Sequence, residues 1–294
     1  MSEHLDKSVS RRTFLRVGTA AATSGLLTAY FGRAGEEKTD FAGFKVGIQS
    51  YCFRDKSFGV DKAIQLTRDL GLGWIEFYNG HVPVSSTPSA VAAVMRFCKK
   101  TGVTPDACGV HGFSEDHAKN RRVFELAKNL GVKVITADPR PESFNSLDRL
   151  VAEYQIRIGI HPHGPQKNGQ LHQWYSAEVI MKAIKDHHSW IGSCLDTGHL
   201  IRAAQMRHKL DPVEEIKIMG SRNYAIHLKD NDNARDVNVV LGRGVLDVKA
   251  VLQALRDVHF QGPISIEYEA NPSNPVPDIR ECIKVLREAA KSVK

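Results

Sequence analysis

From Gly43 onward the chain alternates two apolar patterns. Short runs rich in β-branched and apolar residues are each followed by a longer segment whose apolar positions recur with helical period. The runs predict strands at Lys45–Tyr51, Trp74–Phe77, Thr104–Val110, Lys133–Ala137, Arg157–Ile160, Ile191–Leu195, Tyr224–Leu228 and Ile264–Tyr268. The periodic segments predict helices at Val60–Leu70, Ser89–Thr101, Asp116–Leu130, Pro141–Tyr154, Ala177–His187, Pro212–Met219, Val248–Val258 and Pro277–Val293. Gly71, Gly131 and Gly220 stand just past three of these helices, where a left-handed residue stops the turn. Eight β–α units in about 250 residues, with no second composition regime, imply one α/β domain over residues 43–294 whose parallel sheet closes as a (β/α)8 barrel. An open doubly wound sheet would need fewer strands and a glycine-rich first turn. Gln49-Ser50-Tyr51-Cys52-Phe53 contains no glycine.

Residues 1–34 break this pattern. Ser10-Arg11-Arg12-Thr13-Phe14-Leu15 is a twin-arginine pattern, and the weakly apolar Val17 to Phe31 follows it, so the segment reads as a Tat-type leader. That stretch is shorter than the roughly 20 apolar residues of a membrane-spanning helix. Export to the periplasm by the Tat translocase is therefore expected, with anchoring by an uncleaved leader as the alternative.

Composition is globular: 42% hydrophobic and 25% charged, which excludes a disordered, collagenous or coiled-coil chain. Formal charge is +7, and outside residues 1–34 there are 35 basic and 31 acidic residues, a surplus of four. With no run of like charges, that surplus lacks the concentrated basic face a nucleic acid requires, and no nucleic-acid partner is expected. The five cysteines, Cys52, Cys98, Cys108, Cys194 and Cys282, include no C-x-x-C and cannot all pair, so free structural thiols are expected.

In such a barrel the working residues sit at the C-terminal ends of the strands, where the βα loops converge. Here those ends carry Gln49, Glu76, His111, Asp138, His161 with His163, Asp196 with His199, His227 with Lys229, and Glu267 with Glu269. Imidazole and carboxylate groups from the last four strands can surround one divalent ion with N2O2 donors, a mixed set that suits Mn²⁺, Zn²⁺ or Co²⁺. Asp138 is a further candidate carboxylate. Gly242-x-Gly244 by itself need not be a phosphate loop, because it precedes Val245 and Asp247 rather than following a strand directly.

Leu195-Asp196-Thr197-Gly198-His199, Ile226-His227-Leu228-Lys229-Asp230, Leu241-Gly242-Arg243-Gly244-Val245-Leu246-Asp247 and Gly262-Pro263-Ile264-Ser265-Ile266-Glu267-Tyr268-Glu269 resemble the sugar phosphate isomerase/epimerase family with a xylose isomerase-like TIM barrel. The resemblance runs from about Phe44 to Ala290. It implies a metal held by a strand-five carboxylate and by Asp196, His227 and Glu267, and it implies a sugar isomerase or epimerase working through an enediolate. The strand-five position falls on His161, a departure from the family pattern that removes one of two proton-transferring glutamates. His161 can still ligate. His163, two residues on and so on the same strand face, is the candidate proton carrier with a pKa near working pH. The expected set is therefore Glu267, His163, Glu76 and Lys229 for catalysis, with His161, Asp196, His227 and Glu267 on the metal. Substrate contacts are expected from His111, His199 and Arg243.

A dehydration or elimination next to a carbonyl needs the same enolate with one strong base, so a lyase or hydratase on 3-keto-glycosides or cyclitols is the alternative. Two readings come from other classes: a repair nuclease similar to endonuclease IV, which also has Asp-Thr-x-His on strand six, and a non-catalytic sugar-binding barrel. The expected partner is a small-molecule carbohydrate, with self-association into a homo-oligomer left open.

Overall fold

A computed structural model describes residues 41–206 and 210–293. The expected leader at 1–34 lies outside the described residues. In chain order the strands are β1 (Lys45–Gln49), β2 (Trp74–Phe77), β3 (Thr104–Phe113), β4 (Val134–Pro139), β5 (Arg157–Ile160), β6 (Ile191–Asp196), β7 (Asn223–Leu228), β8 (Asp230–Asp232), β9 (Val237–Val239) and β10 (Pro263–Ile266). Strands β1 to β7 and β10 form a closed parallel barrel in sequential order, with β10 returning to pair with β1 through Val46–Ile264 and Ile48–Ile266. The antiparallel hairpin β8–β9 stands outside that ring. The helices are α1 (Val60–Asp69), α2 (Pro88–Thr101), α3 (His117–Leu130), α4 (Phe144–Tyr154), α5 (Ala177–Ile184), α6 (Thr197–Ala204), α7 (Pro212–Met219), α8 (Val248–Asp257) and α9 (Val276–Lys291). The structure is thus the (β/α)8 barrel that the alternation predicted.

Every residue of β6, β7 and β10 is buried, because helices cover the outer face while side chains fill the lumen. That double burial explains why the strands read as near-continuous apolar runs. Helix α3 stops on Gly131 in the left-handed conformation, as its glycine signal indicated, and α2 stops in the same way on Gly102, a signal not singled out from the sequence. All five cysteines are free and buried.

Three differences shape the site. The fifth and eighth barrel strands end at Ile160 and Ile266, so His161, His163, Glu267 and Glu269 stand on loops rather than in the strands. Helix α6 begins directly at Thr197, where the sequence reading had only a strand end. The Gly242–Leu246 loop is not a ligand cradle, since its own protein fills it. Buried Asp230 accepts the backbone N–H groups of Asn231 (2.8 Å), Gly242 (2.9 Å), Gly244 (2.9 Å) and Leu246 (3.0 Å). A Cβ on Gly244 would lie 2.2 Å from Asp230 Oδ1, which is why glycine stands there.

Candidate active site

The loops after the barrel strands converge on a cavity of about 320 Å³ whose lining includes Gln49, Tyr51, Tyr78, Asn79, His161, His163, His199, Glu267 and Glu269. Two carboxylates and no lysine or arginine belong to this lining. Tyr51 and Tyr78 meet edge to face with centroids 5.4 Å apart and supply an aromatic wall.

Four buried side chains, two of them on this lining, converge: His161, Asp196, His227 and Glu267 each offer one ligand atom, all within 4.8 Å of one another. His161 Nε2 lies 3.0 Å from His227 Nδ1 and 3.5 Å from Asp196 Oδ2, and His227 Nδ1 lies 3.1 Å from Glu267 Oε2. Donors about 2.0–2.2 Å from a shared ion would be separated by about 3–3.4 Å, so the spacing matches a coordination shell. Two imidazole nitrogens facing each other at 3.0 Å repel unless a proton or a cation lies between them. Asp196 Oδ2 is buried and in hydrogen-bonding geometry with no partner, although Lys229 Nζ is 3.1 Å away. The residues fit a divalent metal.

The local sequence explains the placement. Asp196 ends β6 and caps α6, its Oδ1 accepting the His199 N–H at 2.7 Å, which leaves Oδ2 for the site. Thr197 Oγ1 bonds both the N–H (2.9 Å) and the carbonyl (2.6 Å) of Lys229. Gly198 clears the Lys229 stem, because a Cβ there would lie 2.7 Å from Lys229 Cγ. The Asp-Thr-Gly-His run therefore positions one ligand, one lysine and one helix start together.

Lys229 is drawn into an ion cluster rather than left free to meet substrate. Its Nζ lies 2.9 Å from Glu267 Oε2, 3.1 Å from Asp196 Oδ2, and in contact with Glu269 Oε1. Burial disfavours the ammonium, but Asp196, Glu267 and Glu269 outweigh it and hold the lysine well above its ordinary range. Burial likewise opposes the ionised Glu267, and Lys229 with His227 overcomes it and pulls the carboxyl well below the usual range.

Glu76 is not a cavity residue. It is fully buried, and its carboxylate receives hydrogen bonds from His227 Nε2 (2.8 Å), Ser265 Oγ (3.0 Å) and Thr136 Oγ1 (2.5 Å). The expected catalytic role gives way to a supporting one: Glu76 fixes the His227 ring so that Nδ1 faces the other three ligands.

His163 lines the cavity, but the same-face argument fails because β5 has already ended. Burial, then neighbouring His161, lowers its pKa to about 3, so it is a neutral imidazole rather than a carrier poised near neutrality. His111, on β3, is buried outside the cavity lining. Its Nε2 has no partner, and burial lowers its pKa to about 4, so the structure does not give it the expected substrate contact. Arg243 is exposed on the Gly242–Leu246 loop and outside the lining, so that substrate contact is not formed either. His199 lines the cavity, its Nδ1 accepting the Gly164 N–H at 3.0 Å.

Asp138 does not join the four ligands. Its Oδ2 faces His172 Nε2 at 3.5 Å and His163 Nε2 at 3.8 Å, while Gln173 holds Oδ1 at 3.2 Å. His172 Nδ1 accepts the Trp174 N–H, so in the neutral ring the proton sits on Nε2 facing Asp138. That leaves His172 no lone pair to offer a second metal beside Asp138. The sequence reading placed Glu269 at the strand end without a role and did not assign Tyr51, Tyr78 or Asn79 to the site. Tyr78 and Asn79 follow β2 directly, and that position was the available signal.

The chain matches an uncharacterized protein of Methanocaldococcus jannaschii at 28% identity over 153 residues, 50% of this chain and 47% of that protein, so it spans about half of that relative's length. Among solved structures it is similar in fold to 3-keto-D-glucoside 4-epimerase from E. coli, with a TM-score of 0.65, 17% identity, and coverage of 83% of this chain and 99% of that one. It is also similar in fold to a candidate 3-DHS dehydratase from Bacillus anthracis, with a TM-score of 0.66, 14% identity, and coverage of 83% and 98%. The family model of the xylose isomerase-like TIM barrel matches residues 64–289, and the chain belongs to that family.

Proposed function

We propose that this protein is a metal-dependent sugar isomerase or epimerase that forms an enolate or enediolate on a keto-sugar or related polyol. The observation that carries this reading is the convergence of His161, Asp196, His227 and Glu267 beside a sugar-sized cavity. A lining with two carboxylates and no lysine or arginine suits an uncharged polyol better than a phosphodiester, which argues against the nuclease reading.

A bound Mn²⁺, Zn²⁺ or Co²⁺ would supply a Lewis acid for the carbonyl and adjacent hydroxyl oxygens, lowering the cost of enolate charge. Glu267, on the cavity lining, accepts the proton from the carbon beside the carbonyl and, then a carboxylic acid, returns it to a carbon of the enediolate to complete the turnover. Glu76 holds His227 in the ligating orientation, and the Lys229 ammonium offsets the charge of Asp196, Glu267 and Glu269. Tyr51 and Tyr78 give a sugar ring a face to lie against and help exclude water. The lyase reading is kept as a second one on a specific observation: His161 stands where a second glutamate base would be, and elimination needs only one strong base.

Asp196→Ala and His227→Ala are expected to strip the metal on dialysis, and elemental analysis reads the loss. Glu267→Gln is expected to keep metal while slowing exchange of the substrate's α-proton with deuterated water by about 10²–10⁴-fold. Retained metal in the first pair, or full exchange in the second, overturns the assignment. NMR of the product from a panel of ketoses and 3-keto-glucosides separates epimerisation from elimination. Tat-dependent export to the periplasm, read from Arg11-Arg12 and the apolar stretch after it, is part of the same proposal.

A further inference from the structure

A second and larger cavity, about 670 Å³, opens at the same end of the barrel between the C-terminal ends of β3 and β4 and the start of α3. The two cavities share a wall. His163 lines the first and Asp138 the second, and their facing atoms are 3.8 Å apart, so the two cavities are neighbours separated by that pair.

Their linings differ in charged residues. The first lining has Glu267 and Glu269 and no lysine or arginine, whereas the second has Lys119, Arg122 and Arg140 against Asp138 alone. Asp138 is already faced by two histidines and bonded by Gln173. Lys119 lies 3.3 Å from Asp116 and Arg140 4.0 Å from Glu142, both at exposed positions where such pairs hold weakly. Arg122 is exposed and forms no ion pair among the described residues.

We infer that the second cavity is a subsite for an anionic group on the substrate. The preferred substrate is a keto-sugar whose uncharged ring sits beside the four ligands and whose aglycone, bearing a carboxylate, sulfate or phosphate, reaches Arg122 and Arg140. The inference rests on the proposed enolate chemistry and names the substrate class for that same site.

The experiment compares two probes with the metal-loaded protein: methyl 3-keto-glucoside and 4-carboxyphenyl 3-keto-glucoside. α-Proton exchange is followed for each. The carboxylate-bearing probe is expected to show a kcat/KM about tenfold higher or more, mostly through KM, the scale of one or two charge-assisted contacts. The preference should shrink at high salt. Arg122→Ala with Arg140→Ala is expected to abolish it while leaving the methyl glycoside unchanged, and Arg122→Glu to reverse it. Equal kcat/KM for the two probes overturns the subsite, as does a double variant that keeps the preference or loses both probes equally. A wild-type protein that exchanges neither probe overturns the subsite, and one that also exchanges no ketose of the panel overturns the enolate reading itself.

Discussion

Glu76 shows how far a single residue can be read from sequence. A carboxylate at the end of β2 is the right residue type in the right place for catalysis. Yet it faces His227 Nε2 at 2.8 Å with no exposure to the cavity. Strand-end position says that a side chain is near the mouth. It does not say whether the chain points into the opening or behind a ligand, because bulges such as those between Ile75 and Glu76 and between Cys108 and His111 change the aim. The assignment has a measurable consequence. Glu76→Gln keeps the size but removes the charge that orients the ring, and metal affinity is expected to fall about 10–100-fold in a chelator competition, with secondary structure unchanged. Unchanged affinity would remove Glu76 from the support of the site. His163 makes a similar point, since its position in the sequence was right and its environment, not its identity, sets its charge state.

Among the elements, α6 and the Gly242–Leu246 loop were the least legible. Thr197-Gly198-His199 reads as a loop because threonine and glycine are poor helix formers. The signal that marks the helix is the acceptor before it: Asp196 caps the His199 N–H. The glycine-bearing loop shows the converse, a run that resembles an anion cradle and is occupied by the protein's own Asp230. Asp230→Ala would leave four backbone N–H groups at a buried position without their acceptor. It is expected to cost about 3 kcal/mol or more in urea or thermal unfolding. A change below about 1 kcal/mol would mean that water replaces the carboxylate.

For the molecule as a whole, the leader is the part that sequence alone addresses. Arg11→Lys with Arg12→Lys is expected to leave the precursor in the cytoplasm on fractionation, and undiminished periplasmic protein would overturn the export proposal. The barrel was legible because eight alternations of a short apolar run with a segment of period 3.6 are local properties of the chain, and eight units close a sheet that fewer would leave open. The residue types of the ligand set were legible for the same reason, since strand ends follow from strand positions. What tertiary structure decided was which of those strand-end groups meet. His227 and Glu76 are 151 residues apart in sequence and meet only because the ring closes, whereas His161 and Asp196 meet because β5 and β6 pair side by side. Tyr78, Glu269 and the Arg122 cavity likewise depend on where loops land after the strands stop. Periodicity fixes the face on which a side chain begins, whereas strand register, bulges and loop paths fix where it ends, and these are set by packing across the whole ring.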